Sequence, residues 1–497
     1  MSFSNFYNKL GFDEYPFRIF TSESEKDKRE RLFIKLKDYS LLQSSFDSKN
    51  SIIINGDRGT GKTIILNELY KESCKENNIV AFIDDFASIG EKENILDYYK
   101  LIIKTISDKI IIYLFEHKKQ LRKLKKEDKI FLSFLIQRYA DNYTENQLRE
   151  TIESIQLGVF KKIVNTVSRP LTSLLNYGAT AATNFGSEFL NKSFGEYLPR
   201  VNMEEIQSIF PDIKFLVESN FNDINMSYEL LNKMLEFSKR IGINKVTIIF
   251  DKLDEDERLE NDAQEITSFF KNLFIGNKLL LNDNIQLIIS VWKIPFDMLK
   301  SKFRKQKHFV YNINWNFSDL EKVLSNRMKV FSNNKIEDYK NIFENTIDDT
   351  TYKNIFKLSN NNPRDLWHIL DKIIVAQYDI DSNALRISEQ AIATGLEQFV
   401  EDFDFYEYYP RRKNARKNTN DVYSYIEHLR KLNNSEFTRS ELENFASTGG
   451  STQNYITNMV NIGIVKKTAK KRDGSVIYKI VDPKIEYAIK NNFEVSA

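Results

Sequence analysis

One short segment of the sequence has the residue types and the spacing needed to hold the phosphates of a nucleotide. The β-branched run 51–55 predicts a strand, and the amphipathic stretch 64–75 predicts a helix. Between them lies GxxxxGKT, in which glycines let backbone N–H groups surround a β-phosphate at a helix N-terminus. The lysine reaches the β- and γ-phosphate oxygens, and the threonine hydroxyl can coordinate Mg²⁺. We therefore predict that the whole loop binds nucleotide: Gly56, Asp57, Arg58, Gly59, Thr60, Gly61, Lys62 and Thr63.

A second segment supplies carboxylates that could serve the same nucleotide. Residues 246–250 form a nearly continuous apolar run, typical of a buried parallel strand, and an acidic turn follows it. Because ligands of open α/β sheets bind at the carboxyl ends of the strands, Asp251 is expected to hold Mg²⁺ directly or through water. Asp254 or Glu255 is expected to orient or deprotonate the attacking water. The alternative interpretation is a solvated acidic turn that takes no part in chemistry.

Two further polar residues are predicted to reach the same sheet edge. The apolar strand 285–289 leads to Ser290, whose hydroxyl could touch the γ-phosphate or the attacking water, or could simply end the strand. Pro363 suits a first helical turn, which places Arg364 near the start of the predicted helix 366–376. This Arg364 either reaches back to the nucleotide or forms a surface ion pair with Asp365. No Asn-Lys-x-Asp motif is present, so the expected ligands are ATP and Mg²⁺ rather than GTP.

The four segments GDRGTGKT, IIFDKLDE, IISVW and NNPRDLW, in this order, resemble those of an AAA+/STAND-type P-loop ATPase of the origin-recognition-like branch. In that branch they are Walker A, Walker B, sensor 1 and the sensor 2 helix of the lid. The opening GFDEYPF…RLFIKLKDY also resembles a bacterial family that is often found beside defence genes. The resemblance implies an ATPase that assembles with copies of itself in a nucleotide-dependent way and that serves antiphage defence or mobile-element maintenance.

Two expectations follow from this resemblance alone. Initiator-type Walker B motifs carry adjacent Asp and Glu, whereas Lys252 follows Asp251 here, so the base stays open and hydrolysis is expected to be slow or dependent on a partner. A neighbouring subunit would supply an arginine to complete the site. Arg304 is the candidate, with a solvated basic turn as the alternative.

The expected fold is an α/β P-loop NTPase core, a parallel sheet with helices on both faces, with added helical parts. Its predicted divisions are an N-terminal arm and lead helix (1–50), the core (51–85 and 245–315), a large helical insertion (86–244), a helical lid (316–400), a linker (401–420) and a C-terminal winged helix (421–490). Within the insertion, helices are predicted over 95–115, 129–139, 145–164 and 228–241. A basic stretch around residues 118–126 is either a contact site or a solvated helix end. Residues 171–189, rich in Ala, Thr, Gly and Asn, are either a mobile contact element or a helical hairpin.

The C-terminal part carries a pattern of helices over 421–432, 438–446 and 451–461, followed by a predicted hairpin of 464–467 and 476–479 around Arg472-Asp473-Gly474. The hairpin is basic, through Lys466, Lys467, Lys470, Lys471 and Arg472. These cations suit DNA phosphates, and Gln453, Asn454 and Asn458 on the last helix suit groove contacts. We therefore expect double-stranded DNA to bind through residues 451–479. Docking of a protein is the alternative, since winged helices serve both purposes.

Composition excludes several other classes of protein. The chain has 497 residues with 72 Lys+Arg, 70 Asp+Glu and 41% hydrophobic residues, but only 16 Gly and 8 Pro, so a disordered or low-complexity protein is excluded. The longest apolar run, 110–115, is too short to span a bilayer. Cys74 is the only cysteine, and no secretory signal opens the sequence, which indicates a cytoplasmic protein. The four histidines are too far apart in sequence to predict structural zinc.

Three functions therefore compete. The leading interpretation is an ATP-hydrolysing switch whose nucleotide state controls self-assembly and DNA engagement. The second is a STAND-like sensor that recognises a protein trigger and activates a separate effector protein without binding DNA. The third is a scaffold that binds ATP without turnover.

Overall fold

A computed structural model of the protein describes residues 2–18, 28–74, 77–92, 94–117, 120, 123–140, 223–275, 278–299, 302–411, 421–432, 434–493 and 495. Its centre is a five-stranded sheet built from β1 (Ile52–Gly56), β2 (Asn78–Ile83), β3 (Lys245–Phe250), β4 (Gln286–Trp292) and β5 (Phe309–Asn312). All neighbouring strands are parallel, in the order β2-β3-β4-β1-β5. Every residue of β1 and β4 is buried, which explains why their sequences are almost continuously apolar.

Helices cover both faces of this sheet. On one face, Ile52 and Ile54 pack with α3 (Tyr39–Asp47) and α4 (Lys62–Ser73). On the other face, Ile53 packs with a second set of helices. These are α5 (Ile95–Glu116), α6 (Lys126–Ala140), α7 (Ile224–Arg240), α8 (Ala263–Ile275) and α9 (Lys293–Met298). The predicted α/β P-loop core with helices on both faces is therefore confirmed.

The described ends of the predicted insertion, α5 and α7, belong to this second helical layer. Both contribute buried side chains, such as Ile102 and Leu231, to the cluster that contains strands β2 and β3. The predicted helix 145–164, the stretch 171–189 and Lys118, Lys119 and Arg122 of the basic stretch lie outside the described residues.

The N-terminal arm and the lid share one hydrophobic core. The arm contains α1 (Phe3–Lys9) and the single turn α2 (Arg29–Leu32), and the lid contains α10 (Phe317–Phe331), α11 (Asp349–Leu358), α12 (Pro363–Ile380) and α13 (Glu389–Glu401). Gly395 brings α12 and α13 into backbone contact, because a Cβ atom at this position would lie 2.5 Å from Ile373 Cα.

The C-terminal domain packs on the lid and continues its hydrophobic core. Its elements are α14 (Val422–Arg430), β6 (Glu436–Thr438), α15 (Arg439–Ala446), α16 (Thr452–Asn461), β7 (Val465–Arg472), β8 (Ser475–Ile480) and α17 (Pro483–Asn491). The three strands form an antiparallel sheet in the order β6-β8-β7. A capping box of Thr438 and Glu441 starts α15. The β7–β8 hairpin is longer than its predicted strands.

Among the residues that the structure describes, no helix is long and apolar enough to cross a lipid bilayer.

Candidate phosphate-binding site

The glycine-rich loop lies at the carboxyl edge of the sheet, between β1 and α4. Gly59 and Gly61 have φ angles of +80° and +90°, a left-handed conformation that L side chains rarely adopt. A Cβ atom on Gly59 would also lie 2.6 Å from Asn362 Oδ1, so this position has no room for a side chain. Gly61 is the N-cap of α4, which leaves the first N–H groups of the helix available to an anion.

Lys62 is the first residue of α4 and points back along the loop. Its Nζ donates hydrogen bonds to the carbonyl oxygens of Gly56 (3.1 Å) and Asp57 (3.2 Å). Burial lowers the pKa of Lys62, although Asp254, Asp251 and Asp57 act in the opposite direction. The ammonium is therefore held in the loop by neutral carbonyl groups and by the field of nearby carboxylates.

Asp251 follows β3 and is held from both sides. Thr63 Oγ1 donates to Asp251 Oδ2 at 2.7 Å, and Ser290 Oγ donates to Asp251 Oδ1. Ser290 lies beside Asp251 because β3 and β4 are paired in register, with Phe250 opposite Ile289. The sequence predicted both residues at this edge. It did not predict that the Ser290 hydroxyl, which is fully buried, would be bonded to the carboxylate rather than free for a phosphate.

Asp254 and Glu255 have different surroundings. Arg58 of the loop donates from Nε to Asp254 Oδ2 at 3.0 Å and from Nη2 to the Asp254 carbonyl oxygen at 2.9 Å. The guanidinium is also 4.2 Å from the Trp292 ring centroid and donates to Asn261 Oδ1 at 2.8 Å. Glu255 lines the cavity, and burial raises its pKa, with Asp254 and Asp251 acting in the same direction. Of the two candidate bases, Glu255 is therefore the one whose carboxylate is not in an ion pair with Arg58.

The lid touches the loop through the start of α12. Asn362 Nδ2 donates to the carbonyl oxygen of Arg58 at 2.7 Å, while Asn362 Oδ1 accepts from Arg364 N at 3.0 Å as the helix cap. Arg364 lines the cavity, and its guanidinium is 3.7 Å from the Glu407 carboxylate. The predicted alternative, a surface pair of Arg364 with Asp365, is wrong, because Asp365 is buried and pairs with Lys484 at 3.1 Å.

These residues surround one cavity of about 230 Å³. Its polar wall contains most of the predicted site: Arg58, Gly59, Thr60, Gly61, Lys62, Thr63, Asp251, Asp254, Glu255 and Arg364. Its apolar wall was missed at the sequence level, since it combines residues of the arm, of the lid and of the segment that joins β5 to the lid: Leu32, Phe33, Ile34, Leu36, Trp315, Val323 and Trp367. Trp315 Nε1 donates to the Thr60 carbonyl oxygen at 2.9 Å, which ties this wall to the loop.

Arg304 and Asp57, which were also predicted to serve the site, are not among the residues that line this cavity. Arg304 is exposed and precedes β5, so it lies near the amino ends of the strands, at the edge opposite the loop. Arg304 therefore cannot serve the site of its own chain. Asp57 is at the loop, where its carboxylate is 3.7 Å from Lys293 Nζ.

The basic residues predicted for the C-terminal hairpin lie on β7 and face solvent: Lys466, Lys467, Lys470, Lys471 and Arg472. Arg472 pairs with Glu441 of α15 at 2.6 Å. On α16, Gln453 and Asn454 are exposed and Asn458 is partly exposed, and the helix contains no charged residue.

No protein-family model matches the sequence, and no curated protein matches it. Among solved structures, Cdc6p from Pyrobaculum aerophilum has a TM-score of 0.31 and 12% identity, over 98% of this chain and 99% of that one. Drosophila ORC, in a structure with bound DNA, has a TM-score of 0.27 and 8% identity, over 98% of this chain and 91% of that one. Both likenesses are too weak to carry a conclusion about this protein.

Proposed function

We propose that this protein is an ATP-binding and ATP-hydrolysing switch of the AAA+/STAND type, whose nucleotide state controls self-assembly and the engagement of double-stranded DNA. The main support is the convergence on one cavity of a loop lysine, an Asp–Thr pair, a second acidic residue and an arginine: Lys62, Thr63, Asp251, Glu255 and Arg364. They come from segments far apart in sequence and meet at the edge where parallel sheets bind their ligands.

The loop would bind the phosphates. Lys62 now donates to two loop carbonyls, and its ammonium can make stronger, charge-assisted bonds to phosphate oxygens. Thr63 and Asp251 fit Mg²⁺, because a hydroxyl and a carboxylate oxygen 2.7 Å apart are oxygen ligands of the kind that this ion binds. When bound, Mg²⁺ supplies positive charge that neutralises the phosphates.

The remaining polar residues would divide the catalytic work. Glu255 accepts the proton of the attacking water, while Arg58 keeps Asp254 in an ion pair. Ser290 orients the Asp251 carboxylate through their hydrogen bond. Arg364 reaches the γ-phosphate from the lid. In an assembly, Arg304 of a neighbouring copy completes the site, and this is the reason to expect that self-assembly and turnover are linked.

The apolar wall of the cavity would take the base. Phe33, Trp315 and Trp367 offer the flat apolar surface that an adenine ring needs, and none of the described residues on this wall has a carboxylate that could pair with a guanine. This supports ATP as the nucleotide.

The C-terminal domain has the helix, strand, helix, helix, strand, strand order of a winged helix, and its β7 cations lie at the surface. We propose that they contact DNA phosphates, since exposed lysines on a wing suit a sequence-independent electrostatic contact. The uncharged α16 would enter a groove through Gln453 and Asn454.

The decisive experiment measures the ATPase rate with and without double-stranded DNA across a salt series, together with light scattering after size exclusion in ATP and in ADP. We expect stimulation by DNA that fades as salt rises, and a larger assembly in ATP. Lys62→Ala should weaken nucleotide binding roughly 10- to 100-fold, because it removes charged hydrogen bonds to the phosphates. Lys71→Ala is the control, since Lys71 lies on the same helix in surface ion pairs with Glu30 and Glu68.

The DNA-binding measurement has its own control. The double variant Lys470→Ala and Lys471→Ala should make the affinity for DNA less dependent on salt. The negative slope of log affinity against log salt should shrink in magnitude by about 1 for each of these lysines that neutralises a phosphate. The matched pair Lys322→Ala and Lys353→Ala, both exposed lid lysines, should leave the slope unchanged. Turnover and assembly that ignore DNA would favour the sensor of a protein trigger. Binding of ATP without turnover would favour the scaffold.

A further inference from the structure

Residues 403–411, here called the strap, run from the lid towards the C-terminal domain and pass beside the phosphate-binding loop. The strap contains a short 3₁₀ turn, Phe405–Glu407, and Phe405 is fully buried in the core that the lid and the C-terminal domain share. Its remaining residues make contacts in three directions, and each direction leads to a different part of the molecule.

Towards the loop, the contact is made through Asn261. Asn261 Nδ2 donates to the Tyr406 carbonyl oxygen at 2.8 Å, and the main-chain carbonyl oxygen of Asn261 accepts from Arg411 N at 2.9 Å. Its Oδ1 accepts from Arg58 Nη1 at 2.8 Å. One side chain thus bonds the loop arginine to the strap.

Towards the lid, the strap contacts two adjacent residues in the first turn of α12. The Glu407 carboxylate lies 3.7 Å from the Arg364 guanidinium, and the Tyr408 hydroxyl donates to Asp365. The same short segment therefore contacts Arg364, which faces the nucleotide cavity, and Asp365, which faces away from it.

Towards the C-terminal domain, the strap joins a buried charge cluster. Tyr409 OH donates to Asp482 Oδ2 at 2.8 Å. Lys484 Nζ lies 3.1 Å from the Asp365 carboxylate and 3.4 Å from the Asp482 carboxylate, and each of the three side chains is 1% exposed. Removing one partner of a buried ion pair leaves an uncompensated charge, which is strongly unfavourable. The lid, the strap and the C-terminal domain are therefore held in place together.

We propose that the strap makes the docking of the C-terminal domain depend on nucleotide. This inference rests on the proposed function, because it requires Arg364 to interact with the γ-phosphate of ATP. Glu407 and the γ-phosphate then compete for one guanidinium. ATP binding releases Glu407, loosens the contacts of Tyr408 and Tyr409 with the cluster, and frees the C-terminal domain for its partner.

The competition is tested by nucleotide affinity. Glu407→Gln should raise the affinity for a slowly hydrolysed ATP analogue about two- to five-fold, the range expected for a partly exposed ion pair. The affinity for ADP should not change, and the gain should disappear in an Arg364→Ala background. Glu401→Gln, an exposed glutamate just before the strap, is the control. An equal gain for ADP, or a gain that persists without Arg364, would overturn the competition.

The mechanical link is tested without nucleotide. Asn261 has a φ angle of +59°, so Asn261→Gly removes the side chain but keeps a conformation that glycine adopts freely. We expect amide hydrogen exchange in α17 to increase about ten-fold, as the removal of one or two hydrogen bonds predicts. Asn360→Gly, at an exposed position with φ of +52°, is the control. Unchanged hydrogen exchange in Asn261→Gly would overturn only the mechanical link through the strap. A wild-type protein that binds no ATP would overturn the proposed function, and the competition between Glu407 and the γ-phosphate with it.

Discussion

Two groups of buried carboxylates differ in what surrounds them. Asp251 and Asp254 at the glycine-rich loop are 2% and 5% exposed, and Asp365 and Asp482 around Lys484 are each 1% exposed. The first group borders a cavity, and Glu255 beside it faces that cavity. The second group encloses an ammonium and receives two tyrosine hydroxyls. Burial of charge is common to both, so a charge that faces open space is the better indication of a ligand.

The largest effect that would test this contrast is on catalysis. Glu255→Gln should reduce ATP turnover about 10²- to 10⁴-fold, the usual contribution of a general base, while nucleotide binding is retained. Burial, with Asp254 and Asp251, raises the Glu255 pKa above 4.5, so turnover should rise with pH through this raised pKa as the carboxylate loses its proton. The raised pKa also means that the ionised carboxylate is less favourable in the folded protein than in the unfolded chain. Replacing it with the neutral amide in Glu255→Gln should therefore not destabilise the fold at neutral pH.

Asp254→Asn is the comparison for that experiment. It leaves the Arg58 guanidinium without its ion-pair partner and should act mainly on stability and on nucleotide binding. If Asp254→Asn reduces turnover as much as Glu255→Gln does, while the stability of the variant is unchanged, the base is Asp254 instead.

The second effect is on stability and belongs to the enclosed cluster. Lys484→Ala leaves Asp365 and Asp482 without their cation and should destabilise the C-terminal domain by about 3–5 kcal/mol, measured by native-state hydrogen exchange of α17. Lys490→Ala, an exposed lysine on the same helix, should change it by less than about 0.5 kcal/mol. A small effect of Lys484→Ala would mean that the cluster does not hold the domain.

The pH dependence of this cluster has the opposite sign to that of Glu255. Burial alone would lower the Lys484 pKa, but the carboxylates of Asp482 and Asp365 raise it above 10.5. The stabilisation is therefore fully present below pH 10.5 and is lost as the pH rises through the raised pKa.

A smaller effect concerns Ser290. Ser290→Ala removes the hydrogen bond to Asp251 and should raise the Mg²⁺ concentration for half-maximal turnover about ten-fold, as expected for a residue that orients a metal ligand. Ser73→Ala is the control, because Ser73 is also buried and its hydroxyl donates to the Leu69 carbonyl oxygen of the same helix, away from the site. A reduction in turnover that persists at saturating Mg²⁺ would instead support the predicted contact of Ser290 with the γ-phosphate.

The smallest effect is expected at Tyr409. Tyr409→Phe removes one hydroxyl from Asp482, which keeps Lys484 and its helix-cap bond, so the C-terminal domain should be destabilised by about 1 kcal/mol. Hydrogen exchange of α17 measures this, with Tyr455→Phe on α16 as the matched variant. An effect as large as that of Lys484→Ala would show that the tyrosine, rather than the ion pair, holds the cluster.

The sequence predicted the parts of the fold that carry their own local signal. Strands β1, β3 and β4 each contain a short apolar run, and the glycine-rich loop is recognisable by its spacing, so these strands and the loop could be predicted without a structure. The edge at which Asp251, Ser290 and Glu255 gather followed from the rule that parallel strands end together. The roles of these residues stay predictions.

Pairings between distant segments could not be predicted in this way. Arg58 and Asp254 are 196 positions apart, and Lys484 and Asp365 are 119 apart, with no periodicity that links them. Asn261 carries no sequence signal for its contacts with Arg58 and the strap. Asn362 is different, since an Asn before a proline at a helix start is a recognisable cap. Its second bond, to the loop, required the structure.

The backbone contact at Gly395 determines how α12 and α13 of the lid can move. Because α12 and α13 are in backbone contact at Ile373, the two helices cannot shift closer together and move as one rigid body, here called the lever. The 18 residues of α12 span about 27 Å, so a shift of about 1 Å at Arg364 tilts the lever by roughly 2° rather than bending it. Replacing Gly395 with alanine would force the two helices apart and separate motion at Arg364 from motion at the far end of the lid.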